Sequence, residues 1–338
     1  MRTFKFMVLF LVISSVVLVR PAYSASLSLT ITTDRAAVNG GVYNVGSAVI
    51  LSGNVSNGSA IPDALVFFEV DNPKNNPWII RTLTSGQTPP GPWVSVQLLS
   101  VTPCDSSGNP EYSFSPGQDA GFEVSLKNNA ANPNPVLVTI NLFFSDGRPF
   151  LLRTIVNTTL QAGQSYSSIT WPVNIPSNSV TGQAIVRASV FNDYPKNGGL
   201  PYSPELSATF NIASGTPSQP PQNSSPGTFN FTVPVTYIAQ IPIWLGNYTA
   251  YAITKYGYSL ASNQTQFTVK LIGDMDGNGK IDIVDVATVA KAFGTQPGNP
   301  RWNPAADLSG PIPLVPDGRV DISDVAIVAK EFGTIAIP

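Results

Sequence analysis

Oxygen-bearing groups recur at alternate positions in one short segment near the end of the 338-residue chain. In order, they belong to Asp274, Asp276, Asn278, Lys280 (through its backbone carbonyl), Asp282 and Asp285. A loop with ligands at the first, third, fifth, seventh, ninth and twelfth positions converges on Ca²⁺, which needs about six to eight oxygens. Gly279 stands at the sixth position, where the loop turns sharply and glycine adopts a positive φ without penalty. The segment therefore predicts a calcium site.

A second copy of this pattern lies further along the chain and is interrupted. Residues 325–333 repeat residues 286–294 almost letter for letter, and residues 317–324 match the fifth to twelfth loop positions. Seven residues, 310–316, stand where one is expected. The ligands predicted for this copy are Asp307, Ser309, Asp317, Arg319 (through its carbonyl), Asp321 and Asp324. Serine is a weaker ligand than aspartate, so we expect this site to bind Ca²⁺ more weakly, or to need the extra residues folded in a particular way.

The residues after the first loop have the spacing of an amphipathic helix. Its apolar face, at i, i+3, i+4 and i+7, consists of Val286, Val289, Ala290 and Phe293. Gly294 follows and is expected to end the helix. No segment with helical periodicity precedes the loop, and the twelfth position holds aspartate where an EF-hand has glutamate.

Two loop–helix copies with these features resemble the type I dockerin domains. The resemblance implies that residues 273–338 form a small α-helical, EF-hand-related module with two Ca²⁺ sites, the second of them irregular. It also implies a cohesin-like partner, contacted at four equivalent positions of each copy. Those positions are Ile283, Val284, Ala290, Lys291, Ile322, Ser323, Ala329 and Lys330. Cellulosomal dockerins often carry a hydroxyl pair at the first two positions, and only Ser323 fits, so a divergent cohesin, another surface protein or the chain's own sandwich are all candidates.

From residue 27 to residue 271, short apolar runs alternate with polar residues and are separated by Gly, Pro, Asn and Ser clusters. Alternation with period two predicts antiparallel strands that have one face on a core. The predicted fold class is mainly all-β, with Ig-like β-sandwich domains followed by the small α-helical dockerin-like domain of paired loops and helices. Residues 94–212 hold about seven strands, as one Ig-like sandwich requires. This block resembles the cell-adhesion-related Ig-like domains of prokaryotic, and in particular archaeal, surface proteins.

The flanking segments are too short to form cores of their own. Residues 27–83 offer about four strands and residues 228–271 about three. We therefore predict one split sandwich, made of 25–91 plus 226–271, which resembles the macroglobulin-type Ig-like domains. The inserted Ig-like sandwich spans 92–213, and a Pro/Ser-rich linker spans 214–225. Three tandem units, the third of them incomplete, are the competing arrangement.

Residues 1–24 have the layout of a secretory signal peptide. Arg2 and Lys5 precede an apolar run over 6–19, and small residues flank the expected cleavage after Ser24. The prediction is a secreted or cell-surface protein without a transmembrane anchor after cleavage. Retention of this segment as an anchor is the alternative. Cys104 has no partner in the chain and is expected to be a buried, inert thiol.

The composition argues against catalysis and against nucleic-acid binding. The chain has no histidine, which excludes Ser-His-Asp, Cys-His and histidine–metal sites. No pair of carboxylates is arranged as in a glycosidase, so no catalytic residue and no cofactor other than Ca²⁺ is predicted. A net charge of −2 provides no basic field for nucleic acid.

Two functions remain open. The first is a non-catalytic adhesive or scaffold protein that assembles through its calcium module. The second is a carbohydrate-binding accessory protein of an extracellular polysaccharide-degrading assembly. Aromatic residues able to stack on sugar rings are Trp78, Trp93, Trp171, Trp244, Tyr202, Tyr237, Tyr248, Tyr251 and Tyr256. An exposed row of them on one sheet face would favour the second function.

Overall fold

A computed structural model describes residues 26–86, 95–212, 227–235, 244–310 and 315–336. Strands dominate this part of the chain, so the prediction of a mainly β protein is confirmed. No helix within these ranges has the length and apolar character needed to cross a bilayer.

Several predicted features lie outside the described residues. They are the signal segment 1–24, the linker 214–225, Trp93 and Tyr237.

The strands fall into three groups along the chain. β1 to β5 are Ser28–Thr33, Val42–Asn44, Ser47–Ser56, Leu65–Asp71 and Pro77–Thr84. β6 to β13 are Val96–Cys104, Ser113–Phe114, Asp119–Asn128, Asn134–Phe143, Pro149–Leu160, Ser165–Asn174, Gly182–Phe191 and Leu206–Ile212. β14 to β16 are Thr228–Val235, Gly246–Tyr256 and Ser259–Lys270. The helices α1 to α3 are Ala36–Asn39, Ile283–Ala292 and Ile322–Lys330.

The first and third groups of strands share two sheets, here called the host sandwich. One sheet has the order β1-β3-β14 and the other β2-β16-β15-β4-β5. β14 lies antiparallel to β3, with Thr228 opposite Asn54 and Val235 opposite Ser47. β15 lies between β16 and β4, so it joins the last strands of the chain to the first ones. Strands on either side of the middle group therefore complete each other's sheets, which is the pairing that a split sandwich requires.

Alternate residues of these strands form the core of the host sandwich, as period-two alternation dictates. Phe68 of β4 lies at its centre, with its ring centroid 4.8 Å from that of Phe229 and 5.2 Å from that of Phe231. Both partners belong to β14, so the residues after the middle group fill space left by those before it. At one end of the core, Tyr248 stacks on Phe267 at 5.0 Å.

The middle group forms two further sheets, here called the inserted sandwich. Their orders are β10-β9-β12-β13-β7 and β11-β8-β6. Residues expected to face a core from their alternation are buried between these sheets; they include Phe122, Val124, Leu126, Val138, Ile140 and Leu142. Cys104 is also buried, and burial raises the pKa of its thiol, which keeps it in the neutral form.

The inserted sandwich covers the outer face of the host sheet at its edge strand, β5. A small second core joins them, with Phe67, Ile80 and Ile253 from the host packing on Phe191. The backbone edge of β5 that pairs with no strand also has a partner. The Asn141 side chain accepts a hydrogen bond from the Ile80 N–H at 3.0 Å. Covering an edge in this way removes a template for unwanted strand pairing.

Glu205 is the main charged contact of this junction. Its Oε1 lies 2.8 Å from Arg81 Nη2 and 2.8 Å from Arg187 Nη1. Its Oε2 accepts a hydrogen bond from the Thr82 N–H at 3.1 Å. Burial disfavours the charge, but the two arginines outweigh that penalty and hold the pKa of Glu205 below its usual value.

We expect Glu205→Gln to lower the free energy of unfolding by about 3 kcal/mol, because it leaves two largely buried arginines without a counter-charge. Urea unfolding at neutral pH measures the change. Glu111→Gln, at a half-buried position just before β7, serves as the control and should cost about 0.5 kcal/mol or less. A loss at Glu205 no larger than that of the control would contradict a structural role for this contact.

Candidate metal centres

The first loop is wrapped around the carboxylate of Asp274. Its Oδ1 accepts hydrogen bonds from the backbone N–H groups of Gly277 at 2.8 Å and Asn278 at 3.1 Å, and its Oδ2 accepts one from Gly279 at 2.9 Å. Gly279 has φ +81°, as the sharp turn at the sixth position requires. The side chain at the first position thus organises the backbone of the whole turn.

Asp285 closes the other end of the loop and is completely buried. Its Oδ1 accepts from the Met275 N–H at 2.6 Å, and its Oδ2 accepts from the Asp282 N–H at 2.8 Å. Asp282 in turn caps α2 by accepting from the Val284 N–H at 2.8 Å, and this bond lowers the pKa of Asp282. Loop and helix are therefore one hydrogen-bonded unit, in which the capping box of α2 supplies two of the predicted ligands.

Carboxylate oxygens of Asp274, Asp276 and Asp285 all lie within 4.8 Å of one another. Three negative groups at this spacing repel each other unless a cation lies between them. Hard oxygen donors are what Ca²⁺ takes, so these residues fit the ion predicted for the loop. The ion would neutralise the carboxylates and add its binding free energy to folding.

The second loop repeats most of these contacts. Asp307 Oδ1 accepts from the Asp317 N–H at 3.1 Å, and its Oδ2 accepts from the Gly318 N–H at 2.8 Å. Buried Asp324 accepts from the Leu308 N–H at 2.6 Å and from the Asp321 N–H at 2.7 Å. Asp321 caps α3 through the Ser323 N–H at 2.7 Å. Each of these bonds has an equivalent in the first loop, although the second loop is six residues longer.

The additional residues leave and rejoin the loop at nearly the same point. A Cβ built on Gly310 would overlap the carbonyl oxygen of Val315, so the two ends of the excursion are in contact. Asp317 is thereby returned to the fifth position. Serine takes the place of the second carboxylate at Ser309, and among the described residues the close trio of carboxylates occurs in the first loop only. Burial raises the pKa of Asp307, which favours its neutral form unless a cation offsets this.

The two copies also hold each other in place. Ile281 of the first loop exchanges backbone hydrogen bonds with Gly333 and Thr334, at 2.8 and 2.9 Å, beyond the end of α3. Val320 of the second loop does the same with Gly294 and Thr295, at 2.8 and 3.0 Å. Each loop is thus braced by the segment that follows the opposite helix, and neither copy is complete alone.

The prediction of which α2 residues form the buried apolar face is partly wrong. Val289 is buried and Val286 half-buried, but Ala290 and Phe293 are exposed and Ala292 is buried instead. The reason is that α2 ends at Ala292, and Phe293 leaves the helix with φ −52° and ψ 135°, which turns its side chain away from the expected face. The residues expected to contact a partner are all exposed; they are Ile283, Val284, Ala290, Lys291, Ile322, Ser323, Ala329 and Lys330.

Aromatic residues do not form an exposed row on a sheet within the described ranges. Tyr248 is buried, and Trp78 packs on it with ring centroids 5.3 Å apart. Trp244, Tyr202, Tyr251 and Tyr256 are half-buried. Trp171 is exposed, but no other candidate aromatic within the described ranges is exposed beside it.

Comparisons with known proteins give little guidance. No protein-family model and no curated protein match the chain. Among solved structures, Pseudomonas fluorescens alkylpurine DNA glycosylase AlkC is 15% identical, with 38% of this chain and 32% of that one covered and a TM-score of 0.28. Bacteroides uniformis beta-glucuronidase is 8% identical, with 50% and 26% covered and a TM-score of 0.28. The C-terminal domain of wzt is 10% identical, with 37% and 84% covered, again with a TM-score of 0.28.

This chain spans about a third or less of the length of the first two of these structures. At such scores neither the overall fold nor the activity of these proteins extends to it.

We expect Asp274→Ala combined with Asp285→Ala to lower the melting temperature of the whole chain's C-terminal transition when Ca²⁺ is present, because ligand binding to the folded state is lost. In excess chelator the same substitutions should change that temperature much less. Calorimetry with and without Ca²⁺ measures both, and Glu331→Gln, an acidic change outside the loops, is the control. Equal effects in the two conditions would refute the first site.

Gly310→Ala should remove Ca²⁺ binding at the second loop and leave the first loop intact, because a Cβ there collides with Val315. Isothermal titration of the full chain should then lose one of two binding events. Pro316→Ala, an exposed position in the same segment, should retain both. Retention of both events in Gly310→Ala would show that the excursion does not need this close approach.

Proposed function

We propose that the chain is a non-catalytic, exported protein of the cell surface or medium. Its C-terminal calcium module, residues 273–338, docks the two β-sandwiches onto a partner protein. The partner is a cohesin-like domain or another surface protein. Ca²⁺ at the two loops holds the docking helices in position, and the sandwiches serve as an adhesive or spacer element.

The observation that supports this most strongly is the duplicated hydrogen-bond pattern of the two loops. Asp274 and Asp307 accept equivalent bonds from the fifth and sixth loop positions, and Asp285 and Asp324 are buried at the helix starts, which is what a paired loop–helix calcium module needs. Ion binding would also offset the small core of a module with two short helices.

The exposed ends of the two helices support the docking role. Ile283 is 67% exposed and Ile322 is 68% exposed, at equivalent positions of α2 and α3. Large aliphatic side chains exposed at a helix start, next to a rigid calcium loop, offer apolar area to a partner. At about two-thirds exposure, most of each side chain is free of contacts within the described part of the chain.

Carbohydrate binding is the weaker candidate. Sugar-binding surfaces on β-sandwiches need several aromatic faces exposed together, and the aromatic residues of the described ranges are dispersed or packed. We do not propose it as the main role.

A retrieval experiment from the native cell envelope tests the docking role. The full chain, used as bait in Ca²⁺ and then in chelator, should retain a specific partner only in Ca²⁺. Ile283→Asp combined with Ile322→Asp should reduce retention at least about tenfold, since two buried charges replace apolar contacts in the complex.

The matched control is Ile169→Asp, which places a charge at an exposed isoleucine of the inserted sandwich and should leave retention unchanged. The docking role fails if the same proteins remain bound in chelator. It fails equally if the double variant and the control retain them to the same extent.

A further inference from the structure

Two carboxylates of β4 face the inserted sandwich rather than the core of the host sandwich. Glu69 and Asp71 lie two residues apart, so both point to the outer face of their sheet, as does Phe67. Glu69 has no exposed surface and Asp71 is 2% exposed. Both are therefore enclosed between the two sandwiches, where an unpaired charge is costly.

Lys196 of the inserted sandwich forms ion pairs with both carboxylates. It lies in a single 3₁₀ turn, Pro195–Asn197, and its Nζ is 3.1 Å from Asp71 Oδ2 and 3.3 Å from Glu69 Oε1. Its backbone N–H also donates to Glu69 Oε2 at 3.0 Å. Glu69, Asp71 and Lys196 are here called the latch cluster, and they span the junction from one sandwich to the other.

The charges of the latch cluster do not balance when both carboxyls are ionised. One ammonium faces two carboxylates. Glu69 Oε1 has the 3.3 Å ion pair with Lys196 Nζ but no hydrogen bond, and Asp71 Oδ1 has no hydrogen-bond partner in the described part of the chain. A proton on one carboxyl would satisfy such an oxygen and remove the excess charge. The pKa of Glu69 is raised to about 7, chiefly by burial. The hydrogen bond from the Lys196 N–H lowers this pKa, and the charge of Asp71 raises it further.

The other elements around Glu69 supply no second cation among the described residues. Tyr251 of β15 and Ile80 of β5 are its cross-strand neighbours. In the inserted sandwich, Asp193 is engaged with the Tyr194 N–H and with Asn197 Nδ2. The arginines of the junction, Arg81 and Arg187, are paired with Glu205.

We propose that the latch cluster is a proton-dependent latch, which holds the inserted sandwich against the host sandwich while Glu69 is protonated and loosens when Glu69 is ionised. Ionisation leaves a net negative charge enclosed in the junction. Opening lets water reach both carboxylates and relieves that charge. The apolar contacts around Phe67 and the Glu205 ion pairs remain, so the opening is local.

The direction of the pH dependence follows from linkage. In the open junction, Glu69 has its ordinary pKa of 4.5, and in the closed one its pKa is about 7. The closed state therefore binds more protons between these values, and its advantage is lost as the pH rises through 7. The opening constant should increase by at most about tenfold per pH unit from pH 4.5 to 7 and then level off.

Hydrogen exchange on the full chain in saturating Ca²⁺ measures this opening. Protection of peptides covering 65–84 and 192–205 is compared at about pH 5.5 and about pH 7.5, after correction for the intrinsic exchange rate, with peptides of the inserted core as an internal reference. We expect the opening of both junction segments to increase about tenfold or more, and that of the reference to stay constant.

Glu69→Gln, which keeps the shape and removes the titration, should abolish the difference between the two pH values. Glu123→Gln, an acidic position on β8, should retain it. Equal protection of the wild-type junction at both pH values would overturn the latch, and so would a pH response that survives in Glu69→Gln.

If Glu69→Gln does not fold, the unmodified chain still decides the question through carbon NMR of the Glu69 carboxyl. A titration midpoint near 7 is expected. A midpoint close to the ordinary glutamate value of 4.5 would overturn the proposal.

Discussion

The host sandwich depends on backbone hydrogen bonds between strands that are remote in sequence. β15 lies between β4 and β16, and β14 completes the sheet begun by β1 and β3. Neither the opening nor the closing strands contain enough apolar residues for a core of their own, as the packing of Phe68 on two residues of β14 illustrates. Every other feature of the chain is attached to this closure. The inserted sandwich leaves from one side of it, and the paired loops and helices of the C-terminal segment follow its last strand.

The segment with the two loops and helices is attached directly to the host sandwich. Asn44 of β2 accepts a hydrogen bond from the Ile272 N–H at 2.8 Å, just before the first loop begins. β2 itself pairs with β16, the strand that leads into this loop. The buried residues of the module form one continuous cluster with those of the host sandwich. A structural change in the loops therefore affects the packing at the adjoining end of the host sandwich.

Much of this architecture could be predicted from the sequence, because local patterns carry it. Alternation located the long strands, and the repeat of residues 286–294 located the second helix. The expected counts of about four strands before the middle group and about seven within it are each one too low, because β2 and β7 have only three and two residues and pair in parallel with partners far along the chain. The spacing places Phe293 on the buried face because the sequence does not reveal that the helix ends one residue earlier.

The candidate sites also differ in whether local sequence spacing or long-range packing brings their residues together. The loop ligands lie within twelve or eighteen positions of one another, so spacing alone brings them together. Their equivalent hydrogen bonds in the interrupted copy could not be read from spacing, since they require the two ends of the excursion to meet at Gly310. The latch cluster gave no sequence signal at all. Lys196 is 127 positions from Glu69, and only the docking of one sandwich on the other brings their charges together.

The long separation between β4 and β15 also sets an order of assembly. β4 cannot pair with β15 before the chain is complete to about residue 256, so the first strands of the host sandwich remain without these partners until then. The inserted sandwich contains only contiguous strands, and β6 and β13, its first and last strands, are in contact. Once folded, it turns a long and entropically costly loop between β5 and β14 into a short one. Folding of the inserted sandwich thus lowers the entropic cost of pairing the first strands of the host sandwich with the last ones.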